Sequence, residues 1–233
     1  MNDYRELREE AFEANMQLPV LNLVLFTFGN VSAADQAKGV FAIKPSGVPY
    51  SDLTPDKMVV VDFDGKTVIG TLRPSSDTAT HAVLYKNWPA IAGVAHTHST
   101  YATSWAQTLL DIPIYGTTHA DHISVDVPCA PPMDDSSITG NYEYETGFQI
   151  IDHMMSKQYD YREVEMILLG NHAPFTWGKT AAKAVYNSAV LENIAHLAFL
   201  TEQINYKAER MKPSLILKHF ERKHGPDSYY GQP

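Results

Sequence analysis

The sequence predicts an α/β fold in which helices cover a mixed or largely antiparallel sheet. Two observations carry that expectation. The run Met58-Val59-Val60-Val61-Asp62-Phe63 is joined through Asp64-Gly65 to Lys66-Thr67-Val68-Ile69, and an Asp-Gly pair between two such runs suits a tight primed turn. Short apolar runs then mix irregularly with helix-period segments, unlike the strict alternation of a doubly wound parallel sheet. No repeat, low-complexity segment or linker divides the 233 residues, so one domain spanning 1–233 is expected.

The elements follow in order. A helix capped by Asp3 runs to about Leu18, with Leu7, Ala11 and Ala14 on one stripe and Pro19 past its end. Leu23–Phe28 and Val40–Ile43 read as strands, followed by the hairpin. Ser76–Trp88 reads as a helix, and Ile91–Ala95 as a buried strand that ends at His96-Thr97-His98. Tyr101–Leu110 is the next helix. Residues 111–140, rich in Pro, Asp, Ser and Thr, carry short strands around Ile112 and Val125. Tyr142–Lys157 is a helix and Met166–Leu169 a strand. Thr180 caps a long helix to Lys207, with Ala184, Ala189, Ile194, Ala198 and Leu200 among its apolar positions. Pro213 separates it from a last helix, Ser214–Arg222.

Composition excludes several classes. A hydrophobic content of 44% is enough for a full core. No apolar stretch of about 18 residues is present, and the charged start MNDYRELREE does not resemble a signal peptide. A soluble cytoplasmic protein is therefore expected, in keeping with a lone Cys129 that can form no intrachain disulfide. The formal charge of −9 argues against nucleic acid and anionic membranes as partners. A small anion can still be held by local lysines and backbone amides.

His96-Thr97-His98 carries the chemistry. Residues two apart on a strand point to one face, so the pair can offer two imidazoles to one point. Alone it is equally compatible with two unrelated histidines at a strand–loop boundary. A second apolar run, Met166–Leu169, ends at Gly170-Asn171-His172 in the same layout, and Asp77 follows Pro74-Ser75-Ser76 where a helix begins. His96, His98, His172 and Asp77 would fill a divalent site and leave room for substrate oxygens. The competing reading of Asp77 is a first-turn carboxylate favoured by the helix dipole.

Two stretches are suited to an anion. Lys44-Pro45-Ser46-Gly47 sets a cation, a hydroxyl and a glycine amide at a strand end, and Ser75-Ser76 set hydroxyls and amides at a helix start. Gly29-Asn30 permits close backbone approach and adds an amide. Ordinary turns and caps use the same residues, so both readings stand at this point.

Several motifs together bear a resemblance. Gly29-Asn30-Val31-Ser32, Lys44-Pro45-Ser46-Gly47, Pro74-Ser75-Ser76-Asp77-Thr78, His96-Thr97-His98-Ser99 and Gly116-Thr117-Thr118-His119-Ala120-Asp121 occur in order. With Lys218-His219, Arg222-Lys223-His224-Gly225 and Tyr229-Tyr230-Gly231-Gln232, they resemble the L-ribulose-5-phosphate 4-epimerase family of the class II aldolase/epimerase/adducin group. The match runs from about Glu13 to Gln232.

The resemblance implies a single three-layer αβα domain around a mainly antiparallel sheet. It further implies a homotetramer with active sites between subunits and one divalent ion per subunit, Zn2+ first, with Mn2+ or Co2+ as alternatives. Metal ligands would be Asp77, His96, His98 and His172. Gly29, Asn30, Lys44, Ser46, Gly47, Ser75 and Ser76 would bind the phosphorylated ketose. Asp121 and Tyr230, supplied by a neighbouring subunit, would be the acid/base pair, with the tail at about 225–233 completing the site. Thr117, His219 and Arg222 fall in family motifs without a fixed role. This sequence departs from the family at Ala173, where relatives often carry Gly, and at Asp77, where the related aldolases carry Glu. A shorter Asp suits a metal neighbour, which favours an epimerase over an aldolase.

The implied reaction interconverts L-ribulose 5-phosphate and D-xylulose 5-phosphate. The C4 proton is not adjacent to the C2 carbonyl, so inversion by simple deprotonation is too costly. Retro-aldol cleavage of C3–C4, rotation of the glycolaldehyde phosphate and re-addition solve the problem, with two proton carriers on opposite faces. A sugar-phosphate aldolase that releases its aldehyde is the alternative, and a scaffold protein that has lost the ligand set is a third.

Overall fold

The computed structural model describes residues 4–225 and 228–229. One eight-stranded sheet organises the chain. Its strands are β1 (Asn30–Asp35), β2 (Val40–Ile43), β3 (Val59–Asp62), β4 (Thr67–Ile69), β5 (Gly93–His96), β6 (Cys129–Ala130), β7 (Met166–Leu169) and β8 (Pro174–Gly178). They lie in the order β4-β3-β2-β1-β5-β8-β7-β6, and every pairing is antiparallel except β6 with β7.

Period-2 alternation divides the buried side chains between two faces. Val40, Ala42, Val60 and Ala95 pack with Ala11, Ala14 and Leu18 of α1 (Arg5–Val20) and with Ala181, Ala184 and Val185 of α7 (Ala181–Ile204). Phe41, Ile43, Val59, Val61 and Val94 pack on the other side with Val83, Leu84 and Tyr85 of α2 (Thr78–Asn87). Behind α2 lies α6 (Tyr142–Ser156), and a Cβ on Gly147 would sit 2.6 Å from Val83 Cβ, so only glycine allows that approach. The result is the expected αβα sandwich on a mainly antiparallel sheet.

The Asp64-Gly65 turn closes β3 onto β4, with Gly65 at φ 81°. The other helices are α3 (Thr100–Thr108), two short ones, α4 (Thr117–Ala120) and α5 (Asp135–Thr139), and α8 (Pro213–His224). Thr180 caps α7 as expected, its side chain accepting from the Lys183 amide.

Three expectations need correction. Leu23–Phe28 forms no strand: Phe26 adopts φ 53°, which breaks an extended run, and Leu25, Phe26 and Phe28 are exposed. Pairing starts only at Asn30, opposite His96. At the first helix, Pro19 lies inside the last turn, Tyr4 occupies the N-cap position, and the proposed cap Asp3 lies outside the described residues. Finally, the short strands expected around Ile112 and Val125 reduce to one isolated bridge, Ile112 with Val127. The strand β8, absent from the sequence-based expectations, joins the sheet although Pro174 opens it, a position that proline tolerates because it need not donate there.

Candidate active-site cleft

The ends of β1, β5 and β8 meet at one side of the sheet. Asn30 pairs with His96 across β1 and β5, and His96 pairs with Phe175 across β5 and β8. The turn from β7 into β8 places Asn171 at φ 61° and delivers His172 to the same end. One potential ligand atom from each of His96, His98 and His172 lies within 4.8 Å of the others. They border a cleft of about 570 Å3, whose wall also includes Gly29, Asn30, Lys44, Ser46, Gly47, Ser75, Ser76 and Asp77. All the residues expected to bind metal or substrate therefore share one cavity.

The donor set fits a divalent ion. His96 is buried, and its Nδ1 lies 3.0 Å from the Pro174 carbonyl oxygen. A carbonyl only accepts, so Nδ1 carries the proton and the Nε2 lone pair is the ligating face. Burial drives the pKa of His96 and of His172 down to about 3, with neighbouring imidazoles acting in the same direction. His98, at the cleft surface, is lowered by partial desolvation. Neutral imidazole is the metal-binding form.

Asp77 stands beside this group but outside the cluster of three histidines. It occupies the N-cap position of α2 without capping it, and its Oδ2 accepts from Asn30 Nδ2. A carboxylate serving only the helix terminus would turn to the backbone amides, so the capping explanation fails. Asn30 Oδ1 remains buried without a partner among the described residues, a free acceptor next to the cleft.

The two segments expected to bind an anion are joined by the backbone. Ser46 N–H donates to Arg73 O at 2.9 Å, and Ser75 N–H donates to Lys44 O at 3.0 Å. Lys44 is 2% exposed, and no carboxylate among the described residues lies within ion-pair distance of its ammonium. Burial pulls its pKa down. A buried cation without a counter-ion is costly unless an anion arrives to meet it. Gly29 is constrained as well: it adopts φ 75°, and a Cβ would meet Val24 Cγ1 at 2.6 Å and His96 O at 3.0 Å.

Asp121 is not among the residues lining this cleft. It caps α4 at its C-terminal end and faces α8, where Arg222 Nη2 approaches Oδ2 at 2.8 Å and His219 Nδ1 approaches Oδ1 at 2.9 Å. Burial raises its pKa, but hydrogen bonds from Arg222 and His219 and the charge of Lys223 outweigh that and hold it below the usual carboxylate value. Thr117 opens α4, four residues before Asp121. Tyr230 lies outside the described residues.

Sequence reading missed Tyr142 and Glu143, which start α6 and line the cleft. Tyr142 reads there only as a helix start, and nothing local marks its hydroxyl as reaching within 3.4 Å of His172 Nδ1.

Behind the site, His81 is fully buried, with Nδ1 2.7 Å from Ser32 Oγ. Desolvation lowers its pKa from 6.5 to about 3. The unfolded chain then binds more protons than the folded one between those values, so this stability is complete above pH 6.5 and is lost as the pH falls towards 3. Metal-free protein should show a falling melting temperature from pH 7 to pH 4.5. A flat profile over that range would contradict the buried neutral histidine.

The matching family model is that of the class II aldolase and adducin N-terminal domain, over residues 9–199, and the chain belongs to this family. Among its relatives is the L-ribulose-5-phosphate 4-epimerase UlaF of Salmonella paratyphi B, 47% identical over 228 residues, which covers 98% of this chain and 99% of that protein. The Salmonella typhi protein of the same name matches with the same identity and coverage. Among solved structures, an L-fuculose 1-phosphate aldolase has a TM-score of 0.78 at 22% identity, covering 93% of this chain and 95% of its own. YgbL from Klebsiella pneumoniae, a putative aldolase/epimerase/decarboxylase, has a TM-score of 0.73 at 22% identity, covering 94% and 99%. These structural likenesses concern the fold. No helix among the described residues is long and apolar enough to cross a membrane.

Proposed function

We propose that this chain is a metal-dependent L-ribulose-5-phosphate 4-epimerase that works by retro-aldol cleavage and re-addition. The observation that carries the reading is the meeting, in one cleft, of three neutral imidazoles with a buried Lys44 that has no carboxylate partner among the described residues. The first provides for a divalent ion and the second for a phosphate, and the 47% identity to an epimerase along nearly the whole chain supports that pairing.

His96, His98 and His172, with Asp77 as fourth ligand, would hold the ion, Zn2+ first. When bound, a divalent ion supplies Lewis-acid stabilisation of negative charge on the substrate's C2 and C3 oxygens. Lys44, Ser46, Gly47, Ser75 and Ser76 hold the phosphate, so that the two-carbon aldehyde stays while it turns. Gly29 lets the backbone approach, and Asn30, at the start of β1, borders the substrate while its Nδ2 holds Asp77. Asp121, kept ionised by Arg222 and His219, takes the C4 hydroxyl proton on one face. Tyr230 serves the other face.

Both proton carriers come from a neighbouring subunit of a homotetramer, and the tail at about 225–233 completes the site. Exposed apolar side chains on the outer turns of α7 and on α8, including Leu197, Phe199, Leu200, Ile204 and Leu217, support such a subunit contact. Each protomer is a single domain. A cytoplasmic location agrees with the lone, buried Cys129.

A coupled assay for D-xylulose 5-phosphate formed from L-ribulose 5-phosphate tests the reaction. Release of free glycolaldehyde phosphate and dihydroxyacetone at the rate of turnover would replace epimerase by aldolase. In the same assay Ser75→Ala should raise KM on the order of 10-fold, the scale of one hydrogen bond to a charged group, with little change in melting temperature. Unphosphorylated L-ribulose turned over equally well would show the anion pocket to be misassigned.

A further inference from the structure

Tyr50 lies just after the Lys44–Gly47 segment, at the start of a short 3-10 turn (Tyr50–Asp52), and is buried in the core on the α1 side of the sheet. It reads at first as packing. Its contacts are more specific than packing requires. The hydroxyl lies 2.9 Å from Phe28 O and 3.1 Å from Gly29 O, so it donates to the backbone of the loop that forms one wall of the cleft. Its ring lies under Lys44, with Nζ 5.0 Å from the centroid. Lys44 Nζ in turn donates to Thr27 O at 3.2 Å.

One side chain thus joins the two parts of the cleft that meet at the anion pocket. The ring face offers its negative quadrupole to an ammonium that has lost its water. The hydroxyl's single proton is shared between the carbonyls of Phe28 and Gly29, which ties down the chain entering Asn30. Among the described residues no carboxylate takes the place of the ring: a carboxylate would neutralise Lys44 and compete with phosphate, whereas a neutral ring steadies the cation and leaves its charge available.

We infer that Tyr50 is a positioning residue for substrate phosphate, holding Lys44 by its ring and the Thr27–Gly29 wall by its hydroxyl. The inference rests on the assignment of Lys44 to phosphate binding. Tyr50 does not itself touch the substrate, so its loss should appear in KM and in competition by phosphate, with the metal site undisturbed.

The test compares Tyr50→Phe, Tyr50→Leu and Lys44→Met in the intact, metal-loaded protein. Measured for each are KM, kcat, the inhibition constant of inorganic phosphate and metal content. Tyr50→Phe keeps the ring and the volume and should weaken phosphate inhibition and raise KM by about 3-fold. Tyr50→Leu removes the ring as well and should raise both by about 10-fold or more, with kcat falling by less than about 3-fold and metal content unchanged. Should Tyr50→Leu fail to fold, the graded expectation for Tyr50→Phe stands alone and decides. Unchanged KM and phosphate inhibition in Tyr50→Phe, alongside a large effect in Lys44→Met, would reduce Tyr50 to a core residue and overturn the inference. No effect in Lys44→Met would instead overturn the phosphate assignment on which it rests.

Discussion

His96→Asn should lower both divalent-metal affinity and epimerase activity by more than about 100-fold, the upper end of what losing a ligand's hydrogen-bond partner alone costs. His96 is the most constrained of the three imidazoles. Its ring is buried, stacks on Phe175 with centroids 4.1 Å apart, and is oriented by the Pro174 carbonyl. Asparagine keeps a polar side chain of lower volume but replaces the nitrogen lone pair with an amide oxygen, a weaker ligand for zinc. His98 is exposed and His172 half-buried, so His98→Asn should perturb folding least while still removing a ligand. Metal content after gel filtration and chelator competition, measured with activity, checks all three. Full metal retention in every variant would sink the assignment.

The parts of this site that were legible in sequence were those written by local periodicity. A His-x-His at a strand end can aim two rings at one point; β5 ends at His96, and His98, two residues on and past the strand, still joins His96 in the cluster. The hairpin at Asp64-Gly65 was legible for the same reason, since a turn type selects its residues. What failed depended on partners distant in the chain. Leu23–Phe28 has strand composition, yet Phe26 turns away and the sheet begins at Asn30, where Asn15 Oδ1 accepts from the Val31 amide. β8 was hidden by Pro174, because only its pairing with β5 and β7 reveals a strand.

The candidate site residues followed the same division. Lys44 and Ser75 stand in recognisable turn motifs, but that they are drawn together by reciprocal backbone hydrogen bonds between 44–46 and 73–75 is a tertiary fact. Tyr50 and Tyr142 carry no local signature, since one reads as a packing aromatic and the other only as a helix start. The ion cluster around Asp121 joins positions about a hundred residues apart, beyond the reach of any periodic pattern.

That cluster yields the second large effect. Asp121→Asn should reduce turnover on the order of 10²–10⁴-fold, the usual cost of losing a proton carrier. Asparagine is nearly isosteric and its oxygen can still accept from Arg222 or His219, so the α4–α8 contact and the metal content should largely persist. Melting temperature and metal analysis separate a chemical defect from a folding one. Asp121 does not line the cleft of its own chain; on the proposed inter-subunit assignment it serves a neighbour's cleft, and the defect should then be repairable in trans. An Asp77→Asn chain retains an intact Asp121, and an Asp121→Asn chain retains an intact metal and phosphate cleft. In randomly mixed oligomers closed by one repeating contact, about one quarter of the sites combine the two intact halves. Activity should therefore rise from near zero in either parent to about a quarter of wild type in mixed tetramers verified by mass. No recovery in such tetramers would mean that Asp121 acts within its own subunit or takes no part in proton transfer, and the inter-subunit site would be lost with it.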